Sequence, residues 1–216
     1  AVNIGSGSAG NITVGAFDFG NATVALTTGG SIDEENDDTS TNLTASALNL
    51  TAGTGIGDSG STNGDLDTQT SSLDASVTGN GGIFISNNGD LTLTDVDTNN
   101  GDIDISATGS IAATDVVANS DITLDAGGNI SVTSITANNS GTVSLTASGT
   151  IIESSTDTTV DITAGSIALT AEDSIGSSSS ALDIDAATLA AEANADGAGI
   201  FFFHPDSTPG NADAKD

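Results

Sequence analysis

Apolar residues recur along this chain in triplets spaced i, i+2 and i+8. Seven segments follow the template: Val24/Leu26/Ile32, Leu48/Leu50/Ile56, Ile83/Ile85/Leu91, Ile103/Ile105/Ile111, Ile122/Leu124/Ile130, Val143/Leu145/Ile151 and Ile167/Leu169/Ile175. A spacing of two is a strand with one buried face. Recurrence at roughly 20 residues predicts a solenoid in which each coil rests on the next. The residues at i and i+2 then point inward and those at i+1 and i+3 outward. The outward i+3 row reads Thr27, Thr51, Ser86, Ser106, Asp125, Thr146 and Thr170. Gly29-Gly30, Asn87-Asn88-Gly89, Asn99-Asn100-Gly101, Gly127-Gly128 and Asn138-Asn139 mark the corners. Gly and Asn tolerate the positive φ that tight corners need, and stacked Asn residues can bond along the axis. At about 4.8 Å per coil, ten coils give a rod of roughly 50 Å. Residues 186–195 have helix-forming composition. Their alignment with 71–80, which reads as strand and turn, places them in the solenoid instead.

A longer repeat overlies the short one. Residues 24–57 align without a gap to 143–176, and close to half of the aligned positions are identical. Glu34 matches Glu153, and Ile56-Gly57 matches Ile175-Gly176. Further on, Leu66, Leu73 and Ile83-Phe84-Ile85 correspond to Leu182, Leu189 and Ile200-Phe201-Phe202. The expected organisation is a β-solenoid over 1–203 built from nearly two copies, about 1–85 and 86–203. Residues 204–216, with both prolines, the one His and the one Lys, read as a tail or linker.

Composition narrows the function. Cys, Met, Trp and Tyr are absent and there are six Phe, so the core is a narrow stack of Ala, Val, Ile and Leu. One basic side chain against 30 acidic ones gives a formal charge of −29. Nucleic-acid binding needs Lys and Arg to displace counterions, so it is excluded, as is attraction to anionic membranes. No apolar run reaches the ~20 residues that span a bilayer. Without Cys there is no disulfide framework. The chain starts at Ala1, which reads as a processed product or a piece of a longer protein.

The text of the coils, such as the runs 89–94, 128–133 and 143–151, resembles the β-helical repeats of filamentous-haemagglutinin-type adhesins. The segment from Ile175-Gly176 through Leu182-Asp183 to Ile200-Phe201-Phe202 is similar to spacers in giant bacterial β-strand-repeat proteins. The resemblance implies an all-β, right-handed parallel β-helix, secreted to the cell surface, acting as adhesin or stalk. It carries over no functional residue. The implied partners are neighbouring repeats of a longer chain, or further copies stacked end to end into filaments. A second reading is an adhesin module that binds cell-surface glycans with calcium's help.

Candidate chemistry is sparse. Asp33, Glu34, Glu35, Asp37 and Asp38 form an oxygen-rich stretch of the kind Ca²⁺ uses. Its copy at 152–157 keeps two carboxylates, and pairs such as Asp65/Asp67 and Asp183/Asp185 also read as a solvated acidic face. Parallel β-helices include polysaccharide lyases and hydrolases, but the repeat region lacks the basic residue a lyase needs. Scattered exposed carboxylates do not define a hydrolase pair, so no enzymatic activity is expected. Thr ladders, as in ice-binding solenoids, are interrupted by Ser and Asp. Phe84, Phe201 and Phe203 are expected to face outward, and mark either packing under a loop or a self-association surface.

Overall fold

The computed structural model describes residues 1–7, 10–59 and 64–204; the tail from 205 lies outside the described residues. Among the described residues there is no helix, and parallel strands stack into a β-solenoid of about 9 turns, about 21 residues apart. The segment 186–195 is strand through Ala193, within Leu182–Ala193.

The apolar triplets become columns. Ile83, Ile103, Ile122, Val143 and Ile167 share one register position on successive coils. Ile85, Ile105, Leu124, Leu145 and Leu169 share the position two residues on. Leu91, Ile111, Ile130, Ile151 and Ile175 form a third column. Val96, Val116, Ile135, Ile162 and Ile184 form a fourth. All these side chains are at most 3% exposed. In-register stacking places like aliphatic residues on one another at the strand spacing, so a core one coil wide closes without aromatics. The column of Ala107, Ala126, Ala147 and Ala171 continues back through buried Asn87 to Thr68. The Asn87 side-chain oxygen accepts from the Thr68 hydroxyl and the Thr70 N–H, both at 2.9 Å, so the polar group is satisfied inside.

Side chains carry the ladder around the corners. The Asp90 carboxylate accepts from Ser110 N–H at 2.8 Å, Ser110 Oγ from Asn129 N–H at 3.1 Å, and Asn129 Oδ1 from Thr150 N–H at 2.9 Å. At another corner the Asn119 amide donates to Asn99 O at 2.6 Å and Asn139 to Asn119 O at 3.3 Å. Asn139 itself has φ 53°, the conformation Asn tolerates at such a corner.

The faces do not run straight through the molecule. The single strand Ile83–Asn87 stacks on two shorter ones, Gly55–Ile56 and Leu66–Gln69. Strand Leu91–Thr98 rests on Ser72–Val77 with a register shift after Leu73, then splits into Ile111–Ala113 and Val116–Ala118. The column of Val24 therefore runs through Leu48, Leu73, Leu93, Ala113 and Val132 to Glu153. The column of Val143 runs back through Ile122, Ile103, Ile83 and Ile56 to Ile32. Val24 and Val143 are equivalent in sequence yet stand on different faces.

Leu124→Ala should cost about 3 kcal/mol, because the columns above and below hold the cavity open. Thr123→Ala, which faces outward beside it, should stay within about 0.5 kcal/mol. Urea denaturation of both variants checks the contrast.

Candidate functional site

Among the described residues the regular coil is interrupted at two places, each by a pair of segments on successive coils: 35–42 with 57–59 and 64–65, and 154–161 with 176–181. The first interruption begins at Glu34, whose register partner on the preceding coil is Val14. The second begins at Glu153, whose partner is Val132. Each Glu thus occupies an inward position that the coil before fills with valine, and each is buried, at 8% and 6% exposure.

One coil later the chain swings out at glycine. Gly57 and Gly176 have φ of +66° and +64°, and donate to Ile32 O at 2.9 Å and Ile151 O at 2.8 Å. A Cβ would lie 2.2 Å from Phe84 O at Gly57 and 2.3 Å from Phe201 O at Gly176. Neither the backbone angle nor the space admits a side chain. The chain re-enters at Leu66 and Leu182. There Leu66, Asp67 and Thr68 are all buried, as are Leu182, Asp183 and Ile184. The middle residue of each trio faces outward by strand alternation, and the loop of the preceding coil covers it. Asn42 N–H donates to Asp67 O at 2.8 Å, and Asn42 Oδ1 accepts from Asp67 N–H at 3.1 Å. Asp161 makes the same two bonds to Asp183, at 2.8 and 2.9 Å.

The same residue types are brought to the same places twice, but only in the second do three carboxylate oxygens come within 4.8 Å of one another. Glu34, Asp38 and Asp67 occupy the places of Glu153, Asp157 and Asp183. Asp38 Oδ1 accepts from Ser40 N–H and Asp157 Oδ1 from Thr159 N–H, both at 2.6 Å. In the second cluster one carboxylate oxygen each of Glu153, Asp157 and Asp183 lies within 4.8 Å of the others. Glu153 Oε1 accepts from Asp157 N–H at 2.8 Å, and Oε2 from the Ser180 hydroxyl on the second loop. In the first cluster neither oxygen of Glu34 has a hydrogen-bond partner, nor does Asp67 Oδ2.

Crowded, part-buried carboxylates resist ionisation. Burial, then Asp67, Asp37, Asp38 and Asp65, pushes Glu34 up to about 7. Burial and then Asp65 push Asp67 up to about 6. Burial pushes Asp161 up to about 7 against the N–H it receives from Asp183, with Glu153 and Asp183 adding to the rise. Burial, Glu153 and Asp157 raise Asp183. Asp38 is held below its ordinary value by Ser40, and Asp157 by Thr159 and Ser155.

The oxygen-rich stretch read from sequence is divided by this geometry. Glu34, Asp37 and Asp38 converge. Asp33 instead takes a hydrogen bond from the Ser31 hydroxyl, and Glu35 is exposed. Asp67 and Asp183 are not part of a solvated face: they are 8% and 4% exposed and complete the clusters. Their signal was present in the matched Leu66-Asp67 and Leu182-Asp183 pairs. Phe84 is half-buried, its ring over Gly82, and it lines a pocket together with Asp58 and Gly64. The equivalent Phe201 lies over Gly199 and is 37% exposed; Phe203 is 44% exposed and Phe202 packs against the core. Comparisons with protein-family models, with curated proteins and with solved structures find no significant match.

With folded-state values near 7 for Glu34 and Asp161, the folded chain binds more protons than the unfolded one between about pH 4 and 7. Stability then falls as pH rises through that window. In chelator, the melting temperature should be several degrees higher at about pH 5 than at about pH 7.5; a level or rising profile would contradict the clusters. Gly176→Ala should lower the melting temperature well below that of Gly20→Ala. Gly20 has φ +55° but open space around it, so the difference isolates the close backbone approach.

Proposed function

We propose that this chain is a structural segment of an extracellular adhesin or fibre, holding distance along a rod rather than performing chemistry. The observation that carries the reading is the parallel ladder that runs from coil to coil, with each inner coil buried by the coils on either side. The length of such a rod follows from coil number, at about 4.8 Å per coil. A formal charge of −29 keeps a β-rich rod dispersed. The outermost described coils present column residues to solvent: Ile4, which stacks on Leu26, is 44% exposed, and Leu189 and Ile200 are 42% and 43% exposed. A further coil, from neighbouring repeats or from a second copy, would bury them and satisfy the open strand edge.

An antibody raised against the purified chain should label intact cells of the source organism, and protease applied outside should strip the label. Labelling that appears only after lysis would overturn the extracellular reading.

A further inference from the structure

We propose that the two carboxylate clusters are calcium sites, one held by Glu34, Asp38 and Asp67 and the other by Glu153, Asp157 and Asp183. Three observations carry this. Glu34 is more than nine-tenths buried, stands among Asp37, Asp38, Asp65 and Asp67, and neither of its oxygens has a partner. A buried carboxylate with no donor in reach is costly unless a cation supplies the missing charge. In the second cluster, three carboxylate oxygens lie within 4.8 Å of one another. Oxygens no farther apart than this fit around one Ca²⁺, whose bonds of about 2.4 Å place opposite oxygens about 4.8 Å apart. The third observation is duplication: both clusters draw Glu, Asp and Asp from the same three places on different faces of the rod, although the carboxylate oxygens of the first cluster stand farther apart than those of the second.

All the donors are hard oxygens, which select calcium or magnesium over thiophilic metals. The loop-borne Asp, the neighbouring Asn42 or Asp161 side chain and nearby hydroxyls such as Ser180 suit the irregular shell of calcium over the strict octahedron of magnesium. An ion at each place ties the outer loop to the strand of the next coil. It thereby closes the two points where the ladder is interrupted. The inference stands on local geometry and does not depend on where the protein resides.

Isothermal titration of the chelator-treated full chain with CaCl₂, in about 0.15 M salt to screen diffuse binding, should give two ions per chain. Glu34→Gln and Glu153→Gln should each leave one, and the double variant none. Each single variant should also reduce the calcium-induced rise in melting temperature. Asp157→Asn, at an exposed position and with an Oδ1 acceptor kept for Thr159 N–H, should reproduce the loss of the second site. Magnesium at the same concentration should not displace the calcium. No saturable binding at millimolar calcium, or two ions retained in all variants, would overturn the proposal. Equal competition by magnesium would overturn the assignment to calcium.

Discussion

The in-register parallel ladder is the constraint from which the rest of this molecule follows. Each residue's neighbour is fixed as the residue one coil away, so a side chain's surroundings are set by a column rather than by a globular core. Aliphatic residues satisfy that rule by repetition, as from Ile83 to Ile167. Polar corner residues satisfy it by handing a hydrogen bond to the next coil, as in the Asp90, Ser110 and Asn129 series. A carboxylate in a column cannot stack by repetition: Glu153 is met by the Ser180 hydroxyl of the next coil, and Glu34 has no hydrogen-bond partner. Glu34 and Glu153 stand where the preceding coil has valine, and at both places the next coil is turned away by a glycine at positive φ. The acid, the outward loop and the glycine are parts of one device.

Duplication acts on this device in an uncommon way. The copies are matched in sequence, but the faces re-partition between Leu66 and Thr98, where two short strands meet one and one strand then becomes two. The second device therefore projects from a different face. A rod built this way spreads its loops around its circumference.

Much of the fold was legible from residue type alone. The i, i+2, i+8 triplets are the columns, the Asn and Gly runs are the corners, and alignment to the first copy placed 186–193 in strand against its helical composition. The change of face was not legible, because Ile56 and Ile83 belong to different places in the triplet yet stack directly. The sites were half legible. Reading 33–38 as a contiguous group placed Glu34 and Asp38 together but included Asp33 and Glu35, which point elsewhere. The third carboxylate lies one coil on, behind a loop, so adjacency in sequence could not deliver it. Only the pairing of Leu66-Asp67 with Leu182-Asp183 held that information, and apolar matching had used those positions for their leucines.

The most direct measurement of the account is long-wavelength anomalous diffraction from crystals of the full chain grown with calcium. The account predicts two anomalous peaks. One lies between Glu34, Asp38 and Asp67, the other between Glu153, Asp157 and Asp183, on different faces of one continuous parallel solenoid. A map with no peak at either place, or with Glu34 and Glu153 turned out to solvent, would contradict it.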